Sequence, residues 1–229
     1  MSATNYLFTL TGDSAIIQTN IFPPIQLTGS YEVGVVSFEC YNSIPNLKES
    51  YIQFEGGEKI IIPEGSYDVS DIESFIKVKS KLGSFRLSGN LNTLLVEARS
   101  EVGFSVSSNL ALLLGFQQTE FKANEIYKSQ KPPSIFSIHE INIELNVATG
   151  GFIHSNKTFQ SIQGHSLGAV VIQVPPGYKI FQLFNPVIYF PIQTSQLDFF
   201  EVRLTDQKGN LIDFRKEDIT LRIHVRKSE

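Results

Sequence analysis

The string Gly164-His165-Ser166-Leu167-Gly168 has the letters of a G-x-S-x-G nucleophile elbow. Asp206 and His224 downstream would complete the serine, acid, histidine order of an acyl-transfer hydrolase. That chemistry needs the serine on a sharp turn between a strand and a helix, where backbone amides can meet the oxyanion. After Gly168 the chain runs Ala169-Val170-Val171-Ile172-Gln173-Val174-Pro175-Pro176, a β-branched stretch ended by prolines. No α/β alternation surrounds it. The string reads as a Gly-rich loop feeding a strand, and no residue is assigned a catalytic role.

Other chemistries lack their residues. His139, His154, His165 and His224 form no H-x-H or H-x-x-x-H pair, and Cys40 is the one cysteine, so zinc-type spacing is absent. No D-x-D-x-D calcium loop, Walker loop or dinucleotide fingerprint is present. No metal and no cofactor is expected. Glu217-Asp218 follows Arg215-Lys216, a mixed run that reads as a solvated turn or an ion-paired rim. Asn156-Lys157-Thr158 matches a glycosylation acceptor, which carries weight only in a secreted chain. Cys40 lies in the apolar run Val35–Tyr41 and reads as an inert buried thiol.

The totals narrow the class. Charged residues make up 18% of 229, against a usual value of about 25%, while hydrophobic residues reach 41%. Such a chain either hides surface in an assembly or is a sandwich rich in Ser, Thr and Asn. The net charge is -4, and the basic tip Arg222, Arg226 and Lys227 is diluted by acidic neighbours. Nucleic-acid wrapping needs basic clusters, so it is not expected. Met1–Leu10 lacks a basic region followed by an apolar stretch, and no run approaches the ~20 apolar residues of a span. The chain is expected to be made inside a cell, without a secretory signal or a membrane span.

The elements that would carry any site are mostly strands. Phe, Val, Ile and Tyr dominate the apolar runs. The pattern predicts strands at 6–10, 14–18, 31–41, 51–54, 59–62, 84–87, 93–98 and 103–106. Further strands are predicted at 138–147, 169–174, 179–184, 187–192, 199–205 and 219–226. Ile141–Val147 and Ile219–Arg226 alternate apolar and polar residues, the mark of a half-buried strand. Glu55–Glu58, Ser88–Asn90 and Gln207–Asn210 read as turns. A helix is predicted over about 71–82, capped by Asp68 or Ser70 and ended by Gly83, and a shorter one over 110–114, capped by Ser108 or Asn109. Residues 117–133 read as a long connection. These elements predict a mainly β antiparallel sandwich of jelly-roll type, with 1–229 as a single domain.

Two apolar, proline-rich segments stand apart. Ile21-Phe22-Pro23-Pro24-Ile25 and Phe184-Asn185-Pro186-Val187 can be core plugs or subunit contacts, and the sequence leaves both open. As contacts, the candidates are Phe22, Pro23, Pro24, Phe184 and Pro186.

A resemblance runs along nearly the whole chain. It rests on Phe22-Pro23-Pro24-Ile25, Tyr41-Asn42-Ser43-Ile44-Pro45-Asn46, Ile62-Pro63-Glu64-Gly65-Ser66-Tyr67, Leu113-Leu114-Gly115-Phe116 and Val174-Pro175-Pro176-Gly177-Tyr178-Lys179-Ile180. The C-terminal series Asp206–Phe214 and Ile219–His224 continues it. Together these strings resemble capsid proteins of Maverick/Polinton elements and adintoviruses, with Lys216 standing where the resemblance leads one to expect glycine. The resemblance implies a structural virion protein. The length suits the smaller, penton-like single jelly roll better than the double jelly-roll hexon. It further implies a homo-oligomer, a pentamer at the vertices, partnered by the major double jelly-roll capsid protein. A lectin-like or receptor-binding sandwich is the alternative, weakened by the absence of Trp.

Overall fold

The computed structural model describes residues 5–135, 138–153 and 162–228. His154 and the Asn156–Thr158 acceptor string lie outside them. In chain order the elements are β1 (Asn5–Gly12), β2 (Ile16–Gln26), β3 (Tyr31–Tyr41), β4 (Ser50–Phe54), β5 (Lys59–Ile62), α1 (Val69–Ser80), β6 (Arg86–Gly89), β7 (Val96–Arg99), β8 (Phe104–Val106) and α2 (Ser108–Leu114). They continue with β9 (Glu120–Phe121), β10 (Ile126–Lys128), β11 (Glu140–Leu145), β12 (Gly151–Ile153), β13 (Ile162–Gly164), β14 (Ser166–Val171), β15 (Lys179–Leu183), β16 (Phe190–Ile192), β17 (Gln196–Thr205) and β18 (Ile219–Lys227).

The chain divides into two compact units, one of Met1–Ile44 with Ile138–Glu229 and one of Pro45–Ser137. The sequence predicts 1–229 as one domain with a connection near its middle. The grouping is instead an insertion, because the first unit is built from both ends of the chain. Residues 117–133, expected to be a bare connection, carry β9 and β10. Strands of two and three residues are too short to show a period.

The first unit is a jelly roll. One sheet runs β1-β18-β3-β15, with β16 continuing β15 alongside β3, and the other runs β14-β11-β17-β2. Counting β15 and β16 as one interrupted strand and labelling the strands B to I in chain order, these orders are B-I-D-G and F-E-H-C. That is the double Greek key of the jelly roll. The pairs of both sheets are antiparallel. Alternation explains the core. Ile219, Leu221, Ile223 and Val225 of β18 are buried, while Arg222 between them is exposed. Leu197, Phe200, Val202 and Leu204 of β17 come from the other sheet and join the same cluster with Phe38 and Ile143.

The second unit has its own core, around Ile52, Phe54, Phe85, Phe104, Leu110 and Phe121. Its sheets are β5-β4-β8-β9 and β10-β7-β6. Asp68 caps α1: its carboxylate accepts from the amide of Asp71, whose own carboxylate accepts from the amide of Asp68. The helix ends at Lys81 in the left-handed region, two residues before the glycine expected to stop it. Ser107 caps α2, one residue before Ser108 and two before Asn109, the caps predicted, and Gly115 ends it at φ 82.

Candidate assembly surface

The hydrolase string is taken apart by the fold. Ser166 opens β14 and lies opposite Glu144 where the ladder with β11 is bulged. A strand, not a helix, comes after it. His224 lies in the opposite sheet, and its Nδ1 meets the Tyr189 hydroxyl at 2.8 Å. The Asp206 carboxylate accepts from the amides of Lys208 (2.8 Å) and Asn210 (2.9 Å) and from the Asn210 side chain (3.0 Å). Burial pushes this carboxyl up, but the bonds from Asn210 and the amide and charge of Lys208 outweigh it. The net pKa lies below the usual carboxylate value. The aspartate therefore organises a turn. His165 Nδ1 contacts the Ala148 carbonyl. Cys40 is buried, and burial first, then the negative charge of Glu217, pushes its thiol up to about 12. Among the described residues, no group of three or more His, Cys, Asp or Glu is placed to hold a metal.

The proline-rich segments behave differently from one another. The ladder of β2 with β17 pairs Asn20 with Phe199 and Ile25 with Leu197. Residues 21–24 therefore oppose Asp198 alone and swing out of register. Pro23 and Pro24 cannot donate to a ladder, which is why the pairing opens here and β2 resumes beyond them. The strand predicted at 14–18 stops short of this point, whereas β2 carries the segment as a bulge. Phe22 stands 93% exposed at its crest.

The second segment interrupts β15 and β16. Phe184 is half-buried on the core, with its ring 3.2 Å from where a Cβ of Gly168 would sit. It is a plug of its own unit. Pro186 is exposed. The segment then crosses Gly34 of β3, where an added Cβ would lie 2.5 Å from Val187 Cγ1 and 2.6 Å from the Ile188 carbonyl. Tyr189 pins its far end: its ring lies 3.7 Å from the Arg226 guanidinium, which also pairs with Glu32 at 2.6 Å.

Sequence reasoning missed the apolar stripe beside this crossing. Phe181, Leu183 and Ile188 are 59%, 53% and 66% exposed. In Lys179-Ile180-Phe181-Gln182-Leu183, Ile180 faces the core and Phe181 and Leu183 face outward. Apolar residues in both phases read as a strand covered on both faces, and β15 is instead an edge strand.

One end of the sandwich is fixed by three of the strings that carried the resemblance, those around Asn42, Tyr178 and Phe214. Asn42, buried after β3, donates from its side chain to the Val174 carbonyl (2.8 Å), and its amide donates to the Tyr178 carbonyl. Its own carbonyl accepts from Gly177. The Ser43 hydroxyl donates to the Phe214 carbonyl. Phe214–Glu217 closes a turn through the Glu217 amide and the Phe214 carbonyl (3.0 Å), with Arg215 at φ 55 and Lys216 at φ 62. A turn with positive φ at both central residues favours glycine at the second. This is the position at which the resemblance led one to expect glycine.

No family model and no curated protein sequence matches the chain. Among solved structures it is similar to the crystal structure of the mavirus penton protein. The TM-score is 0.52 at 13% identity, over 99% of this chain and 100% of that one. The likeness extends a penton-like fold over the whole length.

Proposed function

We propose that this chain is a structural capsid subunit of penton type, which assembles with copies of itself into a five-membered capsomer at the vertices of a virion. The observation that carries the reading is the B-I-D-G and C-H-E-F strand order, together with a likeness to a penton protein that spans both chains end to end. The resemblance to capsid proteins of Maverick/Polinton elements and adintoviruses points the same way, and it names the major double jelly-roll capsid protein as the neighbour. A subunit of this kind works by burying surface. A stable contact removes ~1,200 Å² or more from water, and the exposed apolar groups on the edges of the first unit are suited to that. Phe22, Pro23 and Pro24 are assigned to the contact, with Pro186 at the rim of the second segment. Phe184 serves the core of its own subunit. Light scattering of the purified chain tests the reading. A mass near five times 25.6 kDa is expected, and a monomer at high concentration would overturn it.

A further inference from the structure

The bulge at Phe22 and the crossing at Ile188 lie on opposite lateral edges of one sandwich. The bulge belongs to β2, the edge strand of its sheet, which lies against β1 of the other sheet. The crossing belongs to the β15 and β16 edge, at the far side of β3. Both sit at a similar level. Asp198, opposite the bulge, is near the Gln196 end of β17, and Gly34, under the crossing, is near the Tyr31 end of β3. These ends coincide, because β2 finishes at Gln26 beside Gln196 and only Leu27–Ser30 lead to Tyr31. Neither stretch, 20–25 or 180–193, contains a charged residue, in a chain that is 18% charged. Charge depletion marks the centre of a protein interface. One feature is a projecting knob. The other is an apolar shelf, held rigid by Gly34, Tyr189 and Arg226.

Two unlike patches on opposite edges cannot satisfy each other in a two-fold dimer, where one patch meets itself. They fit a head-to-tail contact, which closes into a ring when the rotation permits. We infer that the knob of Phe22, Pro23 and Pro24 docks on the Leu183–Ile188 shelf of the next copy of this chain, an assignment that rests on the capsomer reading. With the strands along the rotation axis, the shared level lets every knob meet a shelf around the ring.

Two full-length variants, Phe22→Cys and Ile188→Cys, test this with a short bis-maleimide. Cys40 is buried and stays unreactive. A covalent dimer is expected only when the two variants are mixed and co-assembled. Cross-linking of either variant alone would mean a self-facing contact and overturn the assignment. Phe22→Asp is expected to shift the mass from the ring to the single chain, which keeps its β circular-dichroism spectrum and a cooperative melt, since the side chain is almost fully exposed in the single chain and only the stability contributed by assembly is lost. A ring that survives Phe22→Asp, with no cross-link from the mixture, overturns this contact and leaves the capsomer reading standing. So does a ring that survives while joining to the major capsid protein is lost, because the knob would then serve another partner. A wild-type chain that stays monomeric overturns both.

Discussion

At the scale of the residue, Gly34 does what no other side chain could do in β3. The chain crosses so close that a methyl group would sit 2.5 Å from Val187 Cγ1 and 2.6 Å from the Ile188 carbonyl. Gly34→Ala should cost about 1–3 kcal/mol in urea unfolding, the range for overpacking a tight contact. Asp206 is the counterpart among polar groups. Asp206→Ala leaves the amides of Lys208 and Asn210 without their acceptor, for a loss of about 1–3 kcal/mol. The folded carboxyl has the lower pKa, so its contribution is complete above the unfolded value of about 3.9 and fades as pH falls through the folded value. The gap between wild type and variant should therefore be constant from about pH 5 upward and shrink below about 4. Ser166 has neither a helix behind it nor a bond to His224, and a fluorophosphonate probe should leave the protein unlabelled. Labelling that is lost in Ser166→Ala would contradict this.

At the scale of the element, the turn at Phe214–Glu217 holds two non-glycine residues at positive φ. Such a conformation costs an L-residue roughly 1–2 kcal/mol, offset in part by the freedom glycine has when unfolded. Lys216→Gly should raise stability by about 0.5–1 kcal/mol, read as a later urea midpoint with an unchanged slope. Much of the fold was legible at this scale. The predicted strands at 31–41 and 59–62 have the observed ends, and those at 199–205 and 219–226 lie within β17 and β18. All are long or sharply bounded, and most alternate. Alternation records which face is wet, but not whether a strand lies at an edge. That is why Phe181 and Leu183 were not legible as a surface. The bulge in β2 was hidden for a related reason. Pro23-Pro24 signals that pairing stops, and nothing local signals that it resumes at Ile25. The cap of α1 was legible down to two candidates, Asp68 and Ser70; the reciprocal bonds of Asp68 with Asp71 settle it on Asp68.

At the scale of the whole molecule, the sequence reading and the structure agree on the sandwich and divide the chain differently. The first and last thirds carry the strong periods because they pair with each other: β1 with β18, β3 with β18 and β2 with β17. The middle carries an insertion with a separate core, and a second core gives no signal in composition. The proposed function depends on the number of copies in the assembly, so symmetry is the decisive observable. Negative-stain imaging of the purified chain tests it most directly. Class averages with five equal lobes around an axis are expected. Single particles of the mass of one chain, or assemblies with two-fold symmetry alone, would contradict it.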